Sequence, residues 1–261
     1  MKNLSQSIVF VTGAFLSYRC WDEWKSYFEK KGYSCLAPAG PYKDDEAEEL
    51  RNRHPDENIA SIRLEDSIEY FTTILNTYPE KPILISHSLG GLIVQLLLQQ
   101  QLGVAGVAIH SFPPQSPGMI NLSLLKSLWD AAGFFTPVTR TYMISFEKWR
   151  YHIANGMTCE EQKQSYYEYA IPESKLAIRD SFKSVANIKF NDPHPPLLII
   201  AGGQDQTVPA SINHKNYKRY KAGRSITDYR EFSDRNHLAF GHPGWQEDAD
   251  FILYWLSGLT R

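Results

Sequence analysis

Long hydrophobic runs are missing from this chain, and with them any segment able to cross a bilayer as a helix. Basic runs are missing too. The 27 Lys and Arg residues against 29 Asp and Glu leave a formal net charge of −2, so there is no electrostatic footprint for nucleic acid or an anionic membrane. Cysteine is scarce: Cys20, Cys35 and Cys159 are odd in number and too scattered for a disulfide framework or a metal knuckle. The N-terminal apolar core, Ile8 to Val11, is too short for a signal peptide, and Thr12-Gly13 interrupts it. Neither an internal repeat nor a low-complexity tract occurs. These absences predict a soluble, reduced, cytoplasmic protein. What is present is bulk: 261 residues, 43% hydrophobic, enough for one large domain with a substantial core and an inserted subdomain.

Strand and helix patterns alternate from the start. Ser7 to Val11 is β-rich, Cys20 to Lys31 carries Trp21, Trp24, Tyr27 and Phe28 at helical spacing, and Tyr33 to Ala37 is a second short strand. Helices follow over Asp44 to Arg53 and Arg63 to Asn76. Pro82 to Ser86 is a third strand, Leu89 to Gln101 its helix, and Val104 to Ile109 a fourth strand. Strands this continuous in Ile, Val and Leu belong in a sheet buried on both faces. The fold class is α/β, with a mostly parallel, doubly wound sheet.

The alternation then stops. Between Pro113-Pro114 and Pro193-His194-Pro195-Pro196 only helical patterns are found: Leu122 to Ala132, Ser145 to Asn155, Thr158 to Ala170 and Glu173 to Phe182. Afterwards it resumes with the strand Leu197 to Ala201, the helix Ala210 to Tyr220, the strand Ile226 to Phe232 and a last helix from Trp245 to Leu259. The expected organisation is therefore a core of residues 1–111 and 194–261, interrupted by a helical cap over 112–193. The cap is rich in aromatics: Phe112, Trp129, Phe134, Phe135, Tyr142, Phe146, Trp149, Tyr151, Tyr166 and Tyr167. Most are expected to be core, because helices lying on a sheet must bury an apolar face; a minority should give the site an apolar, partly aromatic pocket.

The third strand passes into its helix through Ser86-His87-Ser88-Leu89-Gly90-Gly91 with no loop between. So abrupt a switch holds Ser88 in a strained turn with its side chain above the sheet edge. The helix behind it aims unpaired N–H groups and its positive dipole end at the same place. A serine hydroxyl is a weak nucleophile and needs a base that is itself oriented. Two later strands supply candidates on the loops that follow them: Asp205 in Gly202-Gly203-Gln204-Asp205, and His237 in Ser233-Asp234-Arg235-Asn236-His237. In an open parallel sheet these loops converge on one edge, where ligands bind. Asp234 rivals Asp205 as the acid, and His242 rivals His237 as the base. His87 reads as packing or pocket lining, and His110 and Ser111 end the fourth strand on the same edge.

At this point the chain resembles the α/β-hydrolase family, over nearly its whole length. The order serine, acid, histidine is the family's order, and Ser86-His87-Ser88-Leu89-Gly90 is similar to its G-x-S-x-G turn with Ser86 in the place of the first glycine. Thr12-Gly13-Ala14 resembles the family's His-Gly-x oxyanion loop with threonine for histidine. The resemblance implies an oxyanion hole made by the N–H groups of Leu89 and Ala14, with Phe15 as the alternative to Ala14. The chain opens at the strand bearing this loop, as do compact members similar to plant methylesterases and hydroxynitrile lyases, so the family's first hairpin is expected to be absent. A serine at the turn argues against dehalogenase or epoxide-hydrolase chemistry, which in this family uses aspartate there.

The expected function is hydrolysis of a carboxylic ester, lactone or related acyl compound, small and apolar or aromatic, through an acyl-enzyme. Ser88 is the nucleophile, His237 the base and Asp205 the orienting acid, and neither a metal nor an organic cofactor is implied. Two other readings stay open. One is a cofactor-free dioxygenase or lyase, because Ser-His-Ser-x-Gly-Gly is similar to the turn of ring-cleaving dioxygenases of this family; Leu89 stands where those tend to carry histidine. The other is a non-enzymatic small-ligand receptor that keeps the triad.

Overall fold

The computed structural model describes residues 6–115, 128–220 and 225–259. Six strands form one sheet: β1 (Ser7–Val11), β2 (Ser34–Leu36), β3 (Ile83–His87), β4 (Ala105–Ile109), β5 (Leu197–Gly202) and β6 (Thr227–Phe232). Their spatial order is β2-β1-β3-β4-β5-β6 and every pairing is parallel. The inner strands β3, β4 and β5 are buried at every position, whereas β6 alternates and β2 is largely exposed. That is the burial expected of a sheet covered on both faces with two open edges.

The strand order decides where a ligand can sit. From β1 the chain moves outward to β2, then returns across β1 to build β3, β4, β5 and β6 in the other direction. The loops leaving β1 and β3 therefore diverge at neighbouring strands, paired Val9 to Leu84 and Val11 to Ser86. This reversal leaves a crevice at the C-terminal edge of the sheet, where open α/β sheets bind ligands.

Around the sheet lie α1 (Asp22–Glu29), α2 (Ala47–Asn52), α3 (Glu57–Ser61), α4 (Leu64–Leu75) and α5 (Leu89–Gln99). Helix α5 is buried from Leu89 through Leu98. Apolar around its circumference over that span except at Gln95, whose amide is bonded to Ser111, Asn216 and Tyr220, it is a core helix. The expected first helix is shorter than its pattern, because Tyr18–Trp21 forms a 3-10 turn ahead of it. The short α3 falls between the helices expected over Asp44 to Arg53 and Arg63 to Asn76, where the sequence pattern marks none.

Between β4 and β5 the described residues hold no strand of the sheet. They contain a helical turn over 128–132, α6 (Phe146–Lys148) running into a π turn at Trp149–Ile153, α7 (Cys159–Tyr169) and α8 (Lys175–Asp180), with a 3-10 turn at Ser184–Ala186. The expected helix from Leu122 to Ala132 falls partly outside the described residues, which resume at 128. Thr158 opens α7 with a capping box: its hydroxyl accepts from Glu161 N at 3.3 Å, and the Glu161 carboxylate accepts from Thr158 N at 2.7 Å. Helices α9 (Ala210–Arg219) and α10 (Trp245–Gly258) complete the chain. No described helix is long and apolar enough to cross a membrane.

Candidate active site

Ser88 sits between β3 and α5 at φ 53°, ψ −121°. A non-glycine residue there stores on the order of 1–3 kcal/mol of strain, and the surroundings hold it in place. Ser88 N donates to Ile109 O at 3.0 Å, and Ser88 O accepts from Phe112 N at 2.8 Å. The turn is also pressed against β1. A Cβ on Gly90 would fall 2.9 Å from Thr12 O and overlap Val11 O, so no other residue fits at that step of α5. Ser86 fits where glycine is usual because its hydroxyl donates to Val107 O at 2.7 Å inside the sheet.

The loops that carry Asp205 and His237 close over this turn. His237 Nε2 lies 3.0 Å from Ser88 Oγ, and His237 Nδ1 lies 2.7 Å from Asp205 Oδ2. Asp205 has its other oxygen filled: Oδ1 accepts from Thr207 N at 2.8 Å and Val208 N at 2.7 Å. With Oδ1 committed to two backbone donors, Oδ2 faces the imidazole, which must then carry its proton on Nδ1 and present bare Nε2 to the serine. All three side chains are buried. The rivals are elsewhere. Asp234 pairs with Arg235 at 2.6 Å on the surface, and His242 Nδ1 accepts from Gly244 N at 3.0 Å ahead of α10.

Both loops are tied to the segment inserted after β4. Leu238 N donates to Ile153 O at 3.0 Å, Thr207 Oγ1 to His152 O at 2.7 Å, Asn155 Nδ2 to Gln204 O at 2.8 Å and Asn236 Nδ2 to Asn155 O at 2.8 Å. The π turn at Trp149–Ile153 thus leads directly into the stretch that holds the acid and base loops. π turns recur at functional sites for this kind of local re-aiming. Arg235 anchors the base loop from below, with Nε 3.0 Å from Asp248 Oδ1 and Nη2 2.6 Å from Glu247 Oε2.

Two further histidines grip His237 by its backbone. His87 Nε2 donates to His237 O at 2.7 Å and His110 Nδ1 to the same oxygen at 3.1 Å. Burial pushes the His110 imidazole down to about 4, and burial together with His237 and His110 holds His87 well below its usual value. Both are therefore neutral, each with one donor nitrogen spent on the carbonyl. Sequence reasoning placed them as lining and did not find this role. Ring nitrogens of His87, His110 and His237 come within 4.8 Å of one another. His87 Nδ1 and His110 Nε2 have no hydrogen-bond partner among the described residues, whereas both ring nitrogens of His237 are engaged, by Ser88 Oγ and Asp205 Oδ2, so a cation held by all three would have to take His237 from one of them.

The loop after β1 faces Ser88 from the other side. A Cβ on Gly13 would lie 2.8 Å from Ser88 Cβ, so only glycine admits this approach. Thr12, in the place of the usual histidine, accepts from Trp21 Nε1 at 3.1 Å. Ala14 N–H has no hydrogen-bond partner among the described residues, but Phe15 N–H is spent on Glu173 Oε2 at 3.3 Å. Ala14, Leu89, Leu16, Phe71, Ile93 and Ala177 line a narrow cleft here, and its polar members include Lys43 and Glu173.

The chain matches the Alpha/beta hydrolase family over residues 8–249. It belongs to that family. Its single six-stranded parallel sheet is the fold shared with solved structures that are distant in sequence. An extracellular alpha/beta-hydrolase from a Paenibacillus species is 17% identical at a TM-score of 0.67, with 95% of this chain and 98% of that one covered. A Paleococcus ferrophilus monoacylglycerol lipase is 16% identical at 0.65, covering 96% and 93%. An Arabidopsis methylesterase is 16% identical at 0.65, covering 96% and 98%. At such identities the likeness shows the fold. No curated protein sequence matches.

Within this family member the aromatics after β4 depart from expectation. Phe112 and Trp149 are buried, but Trp129, Phe134, Phe135, Tyr151 and Tyr167 are exposed. The expectation that most are core is corrected for those five. Short helices leave much of their surface to solvent, and Trp129 packs on Phe134 and Phe135 at the surface instead. Tyr142 meets the loop after β1, edge-on to Phe15 at 5.8 Å between ring centroids.

Proposed function

We propose that the protein is a serine hydrolase that cleaves a carboxylic ester, lactone or related acyl compound through an acyl-enzyme. The observation that carries this reading is the hydrogen-bonded chain Ser88 Oγ, His237 Nε2, His237 Nδ1, Asp205 Oδ2, at 3.0 and 2.7 Å. Ser88 Oγ attacks the acyl carbon as His237 Nε2 takes its proton. The C=O π pair moves onto oxygen, where the N–H groups of Leu89 and Ala14 receive it. Ala14 is preferred over Phe15 because the Phe15 N–H already donates to Glu173. The tetrahedral species collapses, the C–O bond to the leaving group breaks, and the imidazolium returns the proton to the departing alkoxide. Water then repeats the sequence: His237 takes a proton from it, hydroxide adds to the acyl carbon, and Ser88 leaves protonated. Each oxyanion donor in such a site contributes about 3–4 kcal/mol.

The apolar cleft beside Ala14 and Leu89 supports a small apolar or aromatic acyl substrate. Residues 112–193 act as the cap, on the evidence of the bonds by which Ile153, His152 and Asn155 hold the acid and base loops. Cytoplasmic location is the reading of three free cysteines, with Cys159 exposed.

The test is labelling with a fluorophosphonate probe and turnover of short p-nitrophenyl esters and lactones. Labelling at Ser88 and loss of both signals in Ser88→Ala is expected. Full ester turnover by Ser88→Ala would remove the acyl-enzyme.

A further inference from the structure

The geometry points to a buried ion pair, Glu173 with Lys43, as the device that sets the oxyanion loop, a proposal that rests on the acyl-transfer reading above. Glu173 belongs to the inserted segment and Lys43 to the loop after β2, and both side chains are largely buried. Lys43 Nζ lies 2.7 Å from each Glu173 carboxylate oxygen. The same carboxylate accepts Phe15 N–H at 3.3 Å through Oε2 and Ser174 N–H at 2.8 Å through Oε1. Glu173 is itself fixed by reciprocal backbone bonds with Tyr142, at 2.9 and 2.8 Å.

Phe15 is held at φ 66°, a region that a bulky side chain enters only under constraint. Its N–H goes to Glu173 and its carbonyl accepts from Ile171 N at 2.9 Å, while Ser17 N donates to Tyr169 O at 2.8 Å. Three successive bonds thus fasten residues 15–17 to the inserted segment 169–173. The Glu173 bond occupies the Phe15 N–H, which leaves the preceding N–H, on the cleft residue Ala14, as the one without a partner among the described residues.

A carboxylate lining the cleft that receives an oxyanion would oppose catalysis unless neutralised, since like charges in a low-dielectric site repel strongly. Lys43 supplies the neutralising charge. Two roles are therefore separable. Glu173 orients through hydrogen bonding, and Lys43 removes the electrostatic penalty of having a carboxylate there. Both act as positioning residues, without touching the reacting atoms.

The separation gives the test. Wild-type labelling at Ser88 by a fluorophosphonate, and its absence in Ser88→Ala, first checks the acyl-transfer reading by itself. The rate of that labelling and the kcat for p-nitrophenyl acetate are then measured in variants whose melting curves are compared with wild type. Lys43→Met leaves the carboxylate uncompensated, and kcat and labelling rate are expected to fall about 10- to 100-fold with KM little changed, the scale of a disturbed oxyanion site. Glu173→Gln keeps an acceptor for Phe15 N–H and is expected within about 3-fold of wild type, whereas Glu173→Ala falls about 10-fold or more. The double variant Lys43→Met/Glu173→Gln should recover most of the Lys43→Met loss, which a merely structural pair would not do. A Lys43→Met variant as fast as wild type, or a double variant as slow as the single, overturns the proposal. Should Lys43→Met not fold, equal rates for Glu173→Gln and Glu173→Ala overturn it instead.

Discussion

His87 holds the backbone of His237: its Nε2 donates to the His237 carbonyl oxygen at 2.7 Å, from the position immediately before the nucleophile. His237 is thus gripped at both ends, its ring by Asp205 and its carbonyl by His87, with His110 as a second donor at 3.1 Å. Neighbouring residues at a sharp turn point in different directions, so Ser88 meets the ring of His237 while His87 passes beneath to its main chain. One tight turn therefore fixes both Ser88 and the main chain of His237.

Because both gripping imidazoles are buried neutral, acid should loosen the site. Their folded values are depressed, His110 to about 4, against about 6.5 in the unfolded chain. The stability they contribute is complete above pH 6.5 and is lost as pH falls from there towards 4. Melting temperature should be level above about pH 7 and decline from about pH 6.5, before most carboxylates titrate. The double variant His87→Gln/His110→Asn keeps an N–H in each place without a titrating ring, and Asn also tolerates the φ of 48° at position 110. It should make the decline between about pH 6.5 and 5 shallower, the remainder belonging to His54, His152, His194 and His242, which burial also holds below the ordinary value. An equally steep decline in the double variant would assign the acid sensitivity to other groups.

Asp205→Asn should cost far more activity than stability. The two backbone donors on Oδ1, Thr207 N and Val208 N, select the amide oxygen for that side. The amide NH₂ must then face His237 Nδ1, which becomes the acceptor and sends its proton to Nε2, the wrong tautomer for taking one from Ser88. A drop in kcat of about 10³- to 10⁴-fold is expected, with KM changed little. Steady-state kinetics on p-nitrophenyl acetate, with the labelling rate of Ser88 in parallel, reads this directly. A loss smaller than about 10-fold would show that Asp205 does not set the tautomer.

The residues that meet at the site were legible because each follows a strand. Ser88, Asp205 and His237 lie beyond β3, β5 and β6, and a parallel sheet gathers such loops at one edge. The strands were legible for the same reason: inner β3, β4 and β5 are apolar runs bounded by abrupt turns. Less local features were not. Glu173 and Phe15 are separated by 158 residues, and the only hint was a lone acid after the apolar stretch Ala170-Ile171-Pro172. The double grip on the His237 carbonyl has no sequence signal, since a buried histidine looks like any other until its donor's direction is known. The aromatics after β4 misled because composition counts rings and not the faces they occupy; Phe135 is 88% exposed.

Ser86, the departure from the family's glycine, should prove structural and not catalytic. Its hydroxyl is committed to Val107 O within the sheet at 2.7 Å. Ser86→Gly removes one buried hydrogen bond worth about 1 kcal/mol and adds backbone entropy worth about 0.5–1 kcal/mol. A loss of about 1–2 kcal/mol in urea unfolding is expected, with kcat for short esters near wild type. A large fall in kcat at unchanged stability would instead place the hydroxyl in the reaction.

Gly90 offers the opposite case, in which helix propensity and packing disagree. Alanine within a helix is favoured over glycine by about 1 kcal/mol, so an isolated-helix view has Gly90→Ala stabilise α5. The new methyl would however meet main chain: it overlaps Val11 O and lies 2.9 Å from both Val11 C and Thr12 O. Val11 belongs to β1, where its carbonyl cannot yield without straining the pairing of Val11 with Ser86, and Thr12 opens the loop that follows. Overpacking commonly costs about 1–3 kcal/mol, and against backbone it lies at or beyond the upper end. The packing term therefore outweighs the propensity term, and a net loss of about 2 kcal/mol or more is expected in urea unfolding. Because the displaced atoms carry the Gly13-Ala14 loop, Ser88 labelling should slow even in the fraction that remains folded. A Gly90→Ala protein of wild-type stability and labelling rate would mean that α5 and β1 do not approach as closely as this.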